Sequence, residues 1–382
     1  MERFGESTGG AQPEIGERTP ILSDNPFVRV AHAVVSEIKW QSCGRAVLSV
    51  APIVAFAIVT GDAMWLRAGI VAISSHIAAE RTLLTLQGIA LHGIAIALGF
   101  SLLFFTLQVP LLFVVSCGLF GAGTILLTAR GQRLRSLGNF TFIPSVYTAC
   151  ELADGLAPHE FGSAARAFYP YLAGAMLPVL VFNAIHQWRE FKHAQPPGTG
   201  ESPIERSRRW RLFQTDDEGP PVTEYMETMA AVGIGVALAA LLVELRGLHF
   251  GQWVIWSAAS VVTGNVASSR IKVRDRALGV FIGVPAGTVL SFLLPHTMLG
   301  SSLAILGVML TLVTFRHYVV AFSSRCGLMT LSLVLAGGAT YVGLARVVNV
   351  LLGGLAGILS VLVVHAATQR FGRREPTAQD PA

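Results

Sequence analysis

The chain has 382 residues, of which 52% are apolar and only 13% charged, with a mean hydropathy of +0.58. A soluble domain carries about twice that share of charge, so the composition excludes a water-soluble globular protein and points to an integral membrane protein. The net charge of +5 is read as cation-rich connections of a membrane chain and not as a nucleic-acid-binding surface.

The first element is a tail over 1–40. It opens "MERFGESTGGAQPEIGERTPILSDNP", polar and rich in Gly, Pro and Glu, without the apolar stretch of a signal peptide. It is expected to be cytoplasmic, uncleaved and disordered. Hydropathy then predicts spans near 44–60, 63–79, 88–107, 110–129, 138–153 and 167–187, which form a first membrane unit over 41–188. A polar linker at 189–222 is expected on the cytoplasmic side. Spans near 226–244, 250–267, 277–294, 298–315, 320–340 and 345–366 build a second unit over 223–366, and 367–382 forms a cytoplasmic tail. Two stretches anchor this reading, Gly88–Ala129 and Ala277–Phe315. Neither contains Asp, Glu, Lys or Arg. Each is about twice the length that spans a bilayer as a helix and each holds a proline near its middle (Pro110, Pro295), so each reads as a helical hairpin.

The two units look related. A shift of 189 residues lays Arg81 on Arg270 and Gln87 on Arg276, and a shift of 180 lays Arg166 on Arg346 and Gly174 on Gly354. The fold expected is therefore all-α, with about twelve transmembrane helices in two six-helix parallel repeats, a fused pseudo-dimer. Placing the N-terminus inside puts 24 of the 28 Lys and Arg on the cytoplasmic face, as the positive-inside rule asks. Arg67, Arg166, Arg246 and Arg346 are the exceptions. In this topology "SSRIKVRDRALG", Ser268–Gly279, is the cytoplasmic turn between the second and third spans of the second unit, and Arg316 and Arg325 count as charges of the cytoplasmic side.

The four cysteines are far apart. No Walker spacing, nucleophile elbow or metal-ligand cluster occurs, so no cofactor, metal site or enzyme activity is expected.

"HFGQWVIWSAASVV", a basic stretch, and then "RALGVFIGVPAGTVLSFLL" together resemble the fusaric acid resistance, or aromatic acid exporter, family. So do "FRHYVVAFSSRCGLMTLSLVLAGG" and "ARVVNVLLGGLAG". The second unit matches over roughly Met226–Val364. The first matches loosely, with Gln87 where the family has an arginine, and Asn349 stands where the family often has an acid. The resemblance implies a bacterial inner-membrane exporter of aromatic or other organic acids, driven by protons and able to work with a periplasmic adaptor and an outer-membrane channel. A passive anion channel and a non-transport component of an envelope assembly are the alternatives.

An organic anion crossing hydrocarbon needs compensating cations. Arg276, which precedes the row Gly279, Gly283 and Gly287, is the candidate for the inner mouth, with Arg270 beside it. The glycine row serves either helix packing or close approach of a ligand. Arg166 and Arg346 occupy matched places at the outer ends of the sixth spans, where they form an exit pair or snorkel to lipid phosphates. Proton coupling needs a group that titrates near neutral pH, and His92, His76 and Glu80 are the candidates within spans, against the alternative of satisfied core residues.

Overall fold

The structure is a computed structural model, and residues 36–193, 222–262 and 265–372 are described. The chain divides into a short N-terminal unit, Met1–Ile38, nearly all outside the described residues, and a second unit, Lys39–Ala382. Among the described residues of the second unit there are twelve α-helices. They are α1 Trp40–Thr60, α2 Met64–Thr82, α3 Leu86–Thr106, α4 Pro110–Leu126, α5 Gln132–Ala153 and α6 Phe161–His193. After the linker come α7 Val222–Arg246, α8 Gln252–Val261, α9 Val266–Leu293, α10 Met298–Thr314, α11 Tyr318–Leu335 and α12 Tyr341–Gly372.

Eight helices are long and apolar enough to cross a membrane: α1, α3, α4 with the turn that follows it, α6, α7, α9, α11 and α12. The protein is thus an all-helical, multi-pass membrane protein. The other four fall short for physical reasons. The helix α10 is apolar but has 17 residues, and α8 has only 10. The helices α2 and α5 bury polar side chains: Ser74, Ser75 and His76 in one, Ser145 and Thr148 in the other, each at 0% exposure. A helix enclosed by other helices can carry such groups out of contact with lipid, so its hydropathy falls.

Local signals set the boundaries. The Thr85 side chain accepts from the Gly88 N–H at 3.2 Å to start α3, and Thr297 does the same for Gly300 at 3.1 Å to start α10. Pro110 opens α4, where its missing N–H costs nothing.

Several boundaries differ from the sequence reading. The basic stretch Ser268–Gly279 is not a turn but the first part of α9. The Asn265 side chain accepts from the Ser268 N–H at 2.8 Å, and this cap starts the helix well ahead of the apolar segment. The helix α8 ends at Val261, not near 267. The helices α6 and α12 run to His193 and Gly372, past the expected limits of 188 and 366. The remaining linker (194–221), the first 35 residues and the tail from 373 lie outside the described residues.

Packing follows small residues. The most extensive packing between two of these helices is that of α9 with α11. A Cβ on Gly283 would strike the Ser323 carbonyl, one on Gly287 the Gly327 carbonyl, and one on Gly279 would come 2.7 Å from the Phe322 ring. The glycine row therefore packs two helices, the first of its two readings. Between the first six helices and the last six, α4 meets α7 where a Cβ on Gly118 would lie 3.1 Å from the Gly233 carbonyl.

The helix pairings form a pattern. In the first six, α1 packs on α2 and α6, α2 on α6, α3 on α5 and α6, and α4 on α5. In the second six, α7 packs on α8 and α12, α8 on α12, α9 on α11 and α12, and α10 on α11. Two reciprocal contacts join the sets, α1 with α10 and α4 with α7. Three pairings depart from the pattern: among the described residues α3 packs on α4 but α9 not closely on α10, α11 packs on α12 but α5 not closely on α6, and the third bears on the site. The helix α2 packs along α5, whereas among the described residues α8 and α11 are not closely packed.

Candidate functional site

The space between α8 and α11 is filled by long side chains. Trp253 and Trp256 from α8, Arg276 from α9, Phe322 and Arg325 from α11 and Arg346 from α12 line one small gap. Arg276, Arg325 and Arg346 are 5%, 7% and 4% exposed. No ion pair joins any of the three to a carboxylate among the described residues.

Aromatic rings and hydroxyls hold them instead. Arg276 lies 4.3 Å over the Phe322 ring and donates through Nη1 to the Tyr318 hydroxyl at 3.1 Å. Arg325 donates through Nε to Thr311 Oγ1 at 3.1 Å and through Nη2 to the Thr311 carbonyl at 3.3 Å. Arg346 lies 4.4 Å over the Trp253 ring. The Nε of Arg276 and the Nε and Nη1 of Arg346 are buried without a hydrogen-bond partner. Cation–π contact compensates only part of the lost hydration of a guanidinium, so the cluster presents unused donors and uncompensated charge to an anion. Asn349 contributes to this. It stands one turn after Arg346, where the resemblance leads one to expect an acid, and its Nδ2 donates to the His249 carbonyl at 2.8 Å, leaving Arg346 without that neighbouring carboxylate.

Arg276 and Arg325 also form the deep end of a cavity of about 750 Å³. Its walls carry five more cations, Lys39, Arg81, Arg135, Lys272 and Arg316, and a single acid among the described residues, Glu80. The Lys272 amine lies 5.2 Å over the Tyr318 ring. Arg135 donates to the Val262 carbonyl at 3.0 Å, just past the end of α8, where a backbone acceptor is left over by the helix stop. Walls of one sign concentrate oppositely charged solutes.

The vestibule opens at the end of the bundle that holds the α2–α3, α8–α9 and α10–α11 connections. Toward the other end an apolar layer closes it: Leu66, Tyr147, Ile305, Met309 and Met329 surround the far side of Arg325 and Arg346. Each lies nearer the opposite end of its helix than the vestibule residues of the same helix, such as Ser74 of α2 or Thr311 of α10.

The sequence-derived candidates separate here. Arg276 and Arg346 come together, with Arg325 added. Arg166 is exposed, so the matched register with Arg346 does not make a matched environment. Arg270 is exposed as well. It stands on the opposite face of α9 from Lys272 and Arg276, which follow one another at i, i+4. His76 and Glu80 share a cluster. The His76 Nδ1 lies 3.0 Å from Ser49 Oγ and its Nε2 lies 3.6 Å from a Glu80 oxygen, which also pairs with Arg45. His92 is buried in α3, 4% exposed, and belongs to neither group.

An all-helical membrane bundle with a cationic vestibule that is blind at one end has the make-up of a transporter-like membrane protein. Residues 230–360, which include all three buried arginines, match the family described as fusaric acid resistance protein-like, so the resemblance read in the second unit is borne out over that segment. No curated protein and no solved structure matches the chain.

Proposed function

We propose that the protein exports small organic acids, aromatic acids among them, across the bacterial inner membrane by proton-coupled secondary transport. The observation that carries this reading is the cluster of three buried arginines, free of ion pairs with carboxylates among the described residues, two of which, Arg276 and Arg325, line the blind end of a cationic vestibule while Arg346 joins them in the small gap behind it. A carboxylate there accepts charge-assisted hydrogen bonds from donors that otherwise have no partner, while half-buried Trp256 on the vestibule wall offers ring surface to an aromatic or apolar body. The repeated helix pairings support two six-helix repeats of twelve spans about a pseudo-two-fold axis. The gathering of cations at the vestibule's mouth supports an inward-facing state with both termini cytoplasmic.

Proton coupling is assigned to Glu80 and His76. Glu80 lines the vestibule and contacts both Arg45 and the buried imidazole, so gain or loss of a proton there changes the charge that the anion meets. The apolar layer favours an alternating-access transporter over an open channel, because a conducting pore needs a continuous polar path. The test is flux of aromatic and aliphatic carboxylates in vesicles containing the purified chain, with and without an imposed pH gradient. Uphill movement of the acid in exchange for protons supports the reading. Conduction only down the gradient makes the protein a channel, and no flux across a broad acid panel makes it a non-transport component.

A further inference from the structure

A second cavity, of about 710 Å³, lies on the lipid-facing side of the first six helices between α1 and α6. Its walls are Leu48, Pro52, Ile53 and Phe56 from α1 and Gly174 through Ile185 from α6, with Trp65 of α2 behind them. The slot exists because both helices carry an internal proline on it, Pro52 and Pro178, which interrupts regular packing. The corresponding pair α7 and α12 is closed, since a Cβ on Gly235 would meet Ser360 Oγ at 2.6 Å.

The slot is uncharged along its length and cationic at one end. The lining ends on α6 with His186 and Arg189, and one turn further the Lys192 amine lies 3.9 Å over the Trp188 ring. From Gly174 to Arg189 the helix rises about 22 Å, which is half of the roughly 40–45 Å bilayer with its headgroups. Its cationic end lies at the C-terminal end of α6, the same end of the bundle as the vestibule's mouth. Trp and Lys together mark headgroup depth. Exposed Leu48, Phe56, Leu177, Val181 and Ile185 give it apolar walls throughout.

We propose that this slot binds one anionic phospholipid of the leaflet on the vestibule side, with an acyl chain between α1 and α6 and the phosphate against Arg189. Uncharged walls one leaflet long, ending in cations, complement that amphiphile. A neutral phospholipid gains the chain contacts but not the headgroup attraction. The slot also touches the proton-coupling cluster, because Phe182 on its wall has its ring centroid 5.8 Å from that of His76.

The test uses the full chain in phosphatidylcholine vesicles containing a small fraction of phosphatidylglycerol or phosphatidylcholine with brominated acyl chains, which quench nearby indoles. The Trp65 signal is isolated by subtracting the Trp65→Phe protein. Brominated phosphatidylglycerol is expected to quench Trp65 at roughly fivefold lower mole fraction than brominated phosphatidylcholine, the scale of one cation at an anionic headgroup. Arg189→Gln, an exposed position, is expected to remove that preference while quenching by phosphatidylcholine stays. Equal quenching by the two lipids, or a preference that survives Arg189→Gln combined with Lys192→Gln, overturns the proposal. Quenching by neither lipid, with disulfide capture of two copies through Val181→Cys, overturns it too and makes the slot an interface between chains.

Discussion

The guanidinium of Arg346 lies 4.4 Å over the ring of Trp253, at 4% exposure, while its register partner Arg166 stands exposed. Positions matched in the sequence register thus stand in different environments. Arg346→Gln is expected to lower carboxylate flux by on the order of tenfold or more, the scale of a lost charge-assisted contact in a desolvated site, and Arg346→Lys to keep part of it. Arg166→Gln is expected to transport like the parent. Flux normalised to inserted protein decides the matter, and equal losses at the two arginines would restore the symmetric exit pair.

The cations of the basic stretch are expected to grade by burial. Arg276→Ala should lower the maximal rate, because its guanidinium sits where the anion is desolvated. Lys272→Ala, on the vestibule wall, should mainly raise the substrate concentration needed. Arg270→Ala should do little. Salt screens charges that face water more than buried ones, so the Lys272→Ala defect should shrink at high ionic strength while the Arg276→Ala defect persists. Rate against concentration at two salt levels separates the three.

Gly283→Ala introduces a methyl where the Ser323 carbonyl already sits. Overpacking of this kind costs about 1–3 kcal/mol, so the variant should show a lower thermal midpoint in detergent. A methyl on Gly162 would meet no atom within 4 Å, and Gly162→Ala should leave the midpoint unchanged.

Coupling and binding should separate at Glu80. Glu80→Gln is expected to abolish the response to an imposed pH gradient while retaining exchange of labelled for unlabelled anion at equilibrium. His92→Gln, remote from that cluster, should keep both. Loss of the gradient response in His92→Gln alone would move the proton path to α3.

Much of the fold is legible in the sequence because lipid imposes a simple rule on composition. Gly88–Ala129 contains no charge, and most of α3 and all of α4 lie within it. Hydropathy misleads where a helix carries charge. It reads Arg270 to Arg276 as a turn because it treats cations as connections, although Asn265 offers a capping signal three residues ahead of Ser268. The same bias hides Arg325 as a site residue and assigns it to the cytoplasmic side. Yet Arg325 stands in "YVVAFSSRCGLMTLSLVL", where a lone cation in an apolar run is itself a functional signal. The contact between Glu80 and Arg45 joins residues 35 positions apart, and no local spacing announces it.

Asn349 has a further consequence. With no acid one turn beyond Arg346, and no ion pair from Arg276 or Arg325 to a carboxylate among the described residues, the proposed transport function implies that neutralising charge for the cluster is drawn from solution. Under that proposal, cargo arrives by displacing a mobile counter-ion, not by filling a vacant seat. Its apparent affinity is a difference between two anions, so the background electrolyte, chloride against a bulky anion such as gluconate, sets the scale on which every substrate is ranked.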